Sequence, residues 1–167
     1  MKYFLLITIS IFSFNCYSQS KIESLAFDNN KKVFGKFYIS SSFDNDYETT
    51  DLILKAGAFL VFYSGSESNN YLCMANVWPK EQSQSYGRTY NHKVFDKKIP
   101  ESEEMVSYTL FRWDYENSYN SNVGSATVIL EQILSSYAFK MTIITDKLNM
   151  LVYEGFKEIK SLNKNKK

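Results

Sequence analysis

From Met105 to Ile159 the chain runs through four stretches of strand length and strand composition, MVSYTLFRWDYE, ATVILEQIL, AFKMTIIT and MLVYEGFKEI, with only polar turns between them. Parallel neighbours need a crossover of about a dozen residues or more, usually helical. The connections here, 117–124, 135–136 and 146–149, are all shorter than that, so consecutive runs must pair antiparallel as a meander. In AFKMTIIT, Phe139, Met141 and Ile143 alternate with Lys140 and Thr142, which is the pattern of a strand with one face buried. LEQIL has some helical periodicity, but it is short and follows Thr127-Val128-Ile129, which favours a strand.

The first run of the meander, Met105–Glu116, is the longest and carries a change of phase. Val106, Tyr108 and Leu110 make one face apolar, after which Phe111, Trp113 and Tyr115 make the other face apolar and leave Arg112, Asp114 and Glu116 opposite. Side chains alternate strictly along a strand, so this pattern predicts a switch of buried face near Leu110–Phe111 through a β-bulge or a bend between packed sheets.

Upstream, Ile22–Phe27 and Lys32–Ser40 read as a first hairpin joined through Asp28–Lys31, and Gly35 in mid-strand marks a bulge or a close approach. Ser41–Asp51 reads as a polar loop. Leu52–Tyr63 follows, of which Leu52–Ala56 fits a short helix capped by Thr50 or Asp51 and Ala58–Tyr63 fits a strand. Tyr71–Trp78 is a further strand, ended by Pro79. Residues 80–104 are polar and irregular in pattern, with at most a short strand at Lys93–Phe95, and read as a long functional or mobile loop.

The count is eight or nine locally connected strands. Thirteen Tyr, thirteen Phe and two Trp supply side chains large enough to fill a β core. The expected fold is all-β: an antiparallel β-sandwich, or an up-and-down barrel of lipocalin-like size, with about eight strands. The phase change does not choose between them, because both architectures bend strands at bulges.

Residues 1–18 read as a signal peptide, with Lys2 as the positive end, Phe4–Phe14 as the apolar segment and cleavage after Ser18. The apolar segment is shorter than the roughly 20 residues of a spanning helix, so no membrane span is expected once the leader is removed. Acylation at Cys16 as a lipoprotein is the weaker alternative, because Ser13-Phe14-Asn15 is a poor lipobox. The expected organisation is therefore a leader, one β domain over 19–160 and a basic polar tail over 161–167, in a protein exported to the periplasm or secreted. Cleavage takes Lys2 and no acid from a chain with 19 Lys+Arg and 18 Asp+Glu, leaving a neutral domain. That argues against a nucleic-acid partner. It also leaves Cys73 as the single cysteine, so no intrachain disulfide is expected.

No arrangement of residues reaches a catalytic signature. His92 is the only histidine and has no nucleophile motif beside it in sequence. One His and one Cys are a poor supply for a transition metal, and the glycines are scattered singly rather than in a phosphate cradle, so neither metal nor cofactor is expected. Asp44–Glu48 has alternating oxygen ligands but lacks the glycine and the terminal glutamate of a calcium loop. Asp114 and Glu116 share a strand face at a spacing compatible with glycoside hydrolysis, although a salt-bridged solvent face with Arg112 explains them more simply. The candidate ligand-binding residues are Tyr86, Tyr90, His92 and Tyr119, aromatic side chains in predicted loops where core packing does not explain them. The functional expectation is a non-enzymatic binding domain for a small molecule, a glycan or an envelope protein. A structural or assembly component of the cell envelope that pairs through a sheet edge is second, and a carboxylate-dependent hydrolase third.

Overall fold

The computed structural model describes residues 32–64, 70–77, 82–118 and 120–158. In chain order these form β1 (Lys32–Asp44), β2 (Tyr47–Glu48), α1 (Thr50–Ala56), β3 (Phe59–Ser64), β4 (Asn70–Val77), β5 (Gln82–Lys98), β6 (Met105–Asn117), β7 (Val123–Ile133), β8 (Ala138–Thr145) and β9 (Met150–Lys157). Each long strand pairs antiparallel with the next, and β9 pairs back onto β1, closing an eight-stranded barrel to which β2 adds a short flap. The expected fold class stands, and closure decides for the barrel over the sandwich. The candidate strand Ile22–Phe27 lies outside the described residues.

Closure depends on how β1 bends. Its first half pairs with β3 and its second half with β9, with register shifts between Val33 and Gly35 and between Ile39 and Ser41. Bulges and glycine kinks are what give a sheet the curvature to meet itself. At the seam, a Cβ on Gly155 would lie 1.9 Å from the Tyr38 carbonyl oxygen, and one on Gly87 would lie 1.7 Å from that of Asp114. Only glycine fits at either crossing.

The predicted polar loop after β1 is mostly structured. Asn45 and Asp46, both with positive φ, form the two-residue turn from β1 to β2, and the Asn45 backbone and side chain each hydrogen-bond Met150 of β9. Thr49 precedes α1 without capping it through its side chain; instead Thr49 and Thr50 bind Ser42, a fully buried serine of β1. Gly57 ends the helix in the left-handed conformation, φ 60°. Ala56 is buried and Ile53 packs against the barrel core, so α1 covers one end of the barrel.

Inside, the barrel is filled rather than hollow. Phe37 meets Phe62 and Phe139 edge-on at 5.7 and 4.9 Å, Phe62 meets Phe111 at 5.7 Å, and Leu60, Leu72, Val128, Met141 and Ile143 fill between them. T-shaped contacts suit rings whose faces are negative and edges positive. Tyr153 belongs to this core, and burial, with a contribution from Asp44, pushes its phenol up to about 12. On the outside Phe59, Val61 and Tyr63 are also buried, beside Val33, Tyr71 and Tyr86, so β3 is covered on both faces. That accounts for its unbroken apolar sequence. Among the described residues no helix is long and apolar enough to cross a membrane.

Two further expectations are corrected. Most of the expected loop over 80–104 is regular: Gln82–Lys98 is the longest strand of the barrel, and 99–104 form its turn into β6. β6 itself neither bulges nor bends: it buries Val106 on one face and Phe111 and Trp113 on the other without any break in its own course. Its register with β7 is unbroken from Val106–Ile133 to Glu116–Val123, so Ser107, Thr109, Phe111, Trp113 and Tyr115 all take the inner alternation. Val106, Tyr108 and Leu110 lie on the outer one, where Val106 is buried and Tyr108 stacks on Phe95 at 5.1 Å. The bulge belongs to the neighbouring strand: Tyr90 pairs with Arg112 and Lys93 with Leu110, so Asn91 and His92 together face Phe111. Replacing Gly155 or Gly87 by alanine drives a methyl into a backbone carbonyl. Each substitution is expected to lower unfolding stability in urea by about 3 kcal/mol or more, whereas Gly35→Ala, whose Cβ would press only on the Phe37 ring, is expected to cost distinctly less.

Candidate ligand site at the barrel mouth

The end of the barrel away from α1 is open, and three features of the chain make it so. The bulge comes first. Asn91 adopts a left-handed φ of 56°, which side-chain amides tolerate, and the extra residue turns His92 inward. Its ring lies 5.3 Å from Phe111 and its Nε2 is 3.1 Å from the Thr89 hydroxyl on the same strand. Second, the inner alternation of β6 ends in the small polar residues Thr109 and Ser107, and that of β7 ends in Gln132. Third, Gly35 of β1 puts no side chain on the cavity wall and lets the Phe37 ring pack close against its backbone.

Together these leave a cavity of about 160 Å³. Its apolar floor is Phe37, Phe62, Phe111 and Leu130, and its polar rim is Asn70, His92, Thr109, Gln132 and Lys157. Outside the wall, a shallower concavity of about 410 Å³ runs over Asn91–Lys93, Leu110–Arg112 and Thr127. His92 and Phe111 border both. Partial burial pushes the His92 imidazole below the ordinary histidine value.

Comparison of the chain with protein-family models, curated proteins and solved structures finds no match.

Of the three candidate residues that the structure describes, His92 is the one that lines the cavity. Tyr86 and Tyr90 take the outer alternation of β5, opposite Glu116 and Arg112. Tyr119 lies outside the described residues. On the outer face, Tyr90 donates to Asp114 at 3.1 Å, Ser125 donates to the same carboxylate oxygen at 2.6 Å, and Tyr86 reaches Glu116 at 3.4 Å. Arg112 donates to Thr127 and pairs with Asp146 at 2.9 Å. Asp114 and Glu116 are thus held in an interlocked polar face beside a groove of about 460 Å³ that is formed where Gly87 and Gly124 flank Tyr115. Among the described residues no three His, Cys, Asp or Glu side chains gather as metal ligands.

The sequence reading missed Lys157, Thr109, Gln132 and the phenylalanine floor. A lysine on the inner alternation of a barrel strand is a signal only after the register is known, since β9 reads Tyr153, Gly155, Lys157 inward. Because burial disfavours the imidazolium, His92 is expected to titrate below about 6.5, read from its ring resonances in NMR. The folded state then binds this proton less tightly than the unfolded chain. Its stabilising contribution is full above the unfolded value and is lost as pH falls through the lower folded value. A midpoint at or above the ordinary value would remove His92 from the cavity wall.

Proposed function

We propose that this protein is an exported binding domain, with no catalytic role of its own, that takes a small ligand at the open mouth of its barrel. One observation carries this reading: in an interior otherwise packed with aromatic side chains, the remaining cavity is the place where polar groups from β4, β5, β6, β7 and β9 converge on an apolar floor. Such convergence is the usual form of a ligand site. The cavity is smaller than the roughly 300 Å³ at which drug-sized pockets begin, so the ligand is a small one. Export rests on the N-terminal leader sequence.

The test is native mass spectrometry of protein recovered from its own host, comparing the wild type with Thr109→Phe. Thr109 is half-buried on the inner face of β6, and a phenylalanine there fills the cavity at a stability cost of about 1–3 kcal/mol. The wild type is expected to start at Gln19 and to carry a small adduct that the variant lacks. Protein recovered without an adduct, or an adduct that persists in Thr109→Phe, counts against a ligand at the mouth.

One observation favours assembly through a sheet edge as a second reading. β4 pairs with β5 only as far as Thr89, so from Tyr90 to Lys98 the β5–β6 hairpin projects with one edge unpaired among the described strands. Val94 and Phe95 on that edge are 66% and 54% exposed. Lys93, Lys97 and Lys98 stand beside them, and edge lysines commonly discourage strand addition. If the edge is an assembly surface, Val94→Pro should abolish a complex recovered from the envelope while the barrel still melts cooperatively; an intact complex would retire this reading.

A further inference from the structure

The geometry points to the chemical class of the ligand at the mouth: a small monoanion, a carboxylate carried on a single ring or a short alkyl chain. The inference rests on the reading of the mouth as a ligand site and adds the sign of charge and the size.

Charge comes from Lys157. On β9 the inner alternation runs Tyr153, Gly155, Lys157, and the register pairs Lys157 with Phe37, an inner residue of β1. A barrel interior ordinarily takes apolar side chains at such positions, whereas Lys157 is half-buried and lines the cavity. Its ammonium lies over the Phe37 ring, 5.8 Å from the centroid. The rest of the rim offers donors: the His92 imidazole, the Asn70 and Gln132 amides and the Thr109 hydroxyl. No Asp or Glu is among the described residues that line the cavity. A site with an inward cation, several neutral donors and no carboxylate favours an anion and disfavours a cation, whose charge would meet Lys157 uncompensated.

Size and the apolar half come from the floor. An apolar cavity of about 150 Å³ accommodates benzene, and this one measures about 160 Å³ over three phenylalanines and a leucine. One ring or a short alkyl chain fits beneath the rim, and its carboxylate then reaches the level of Lys157.

The experiment uses the purified mature protein and three probes of one shape: benzoate, benzyl alcohol and benzylammonium, each followed by amide chemical shifts and by calorimetry. Benzoate is expected to move the amides of Phe37, His92, Phe111 and Lys157 and to bind about tenfold or more tightly than benzyl alcohol. Benzylammonium is expected to show no saturable shift. Lys157→Met should bring benzoate down to the level of benzyl alcohol, whereas Lys157→Arg should retain the preference, which guards against a merely misfolded variant. Benzyl alcohol binding as tightly as benzoate, or a preference that survives Lys157→Met, would overturn the assignment of charge and leave the mouth as a binding site. Silence toward all three probes, with a native adduct still lost in Thr109→Phe, would overturn the ligand class alone.

Discussion

The structure depends on the ladder between β1 and β9. Eight strands in simple succession make a curved ribbon with two free edges, and only the pairing of Phe37–Asp44 with Leu151–Lys157 turns that ribbon into a barrel. Closure removes the two long edges that would otherwise invite strand addition. It also demands that β1 serve two partners, which it does by bulging twice, and that the crossing strand give way where Gly155 passes the Tyr38 carbonyl. The same ladder sets Lys157 opposite Phe37, so the seam that closes the barrel also equips its mouth.

The two ends of the barrel are built on opposite principles. At one, α1 lies across the opening, anchored through the Ser42 hydrogen bonds, with Ile53 and Ala56 turned to the core. At the other, the inner residues become short or polar, and the Asn91 bulge turns a histidine to the rim in place of an apolar side chain. Between the ends the edge-on phenylalanines pack the interior. One buried donor, the Trp113 indole Nε1, has no acceptor among the described residues. An orphaned donor carries a desolvation cost, and it lies inside the packed section, apart from the mouth.

Much of the fold was legible because strand periodicity is a local property. The meander from β6 to β9, the all-β class and the short helix before β3 could be read from alternation, turn residues and run lengths. Failures came where a strand's environment differs from one end to the other. Gln82–Lys98 looked irregular because its second half projects past β4, so both faces are wet, and because the bulge at Asn91 breaks the period of two. The apolar trio of Val106, Tyr108 and Leu110 looked like a core face; it is an outer face sheltered by Phe95 and neighbouring side chains. Hydrophobicity records that a residue is covered, and it does not record from which side.

The candidate site shows the same division. His92 was picked out in sequence as the single histidine among aromatic residues, and it does face the cavity, but Tyr86 and Tyr90, picked out on the same grounds, point the other way because the bulge falls between them and His92. The sequence by itself determined that the chain is antiparallel β, built on an aromatic core and balanced in charge, since those follow from local pattern and composition. Only the tertiary structure decided that the sheet closes, that β6 keeps one inner face and that Lys157 meets His92 across a small apolar cavity. These are relations between strands distant in sequence, and they are fixed by the register of a closed ladder.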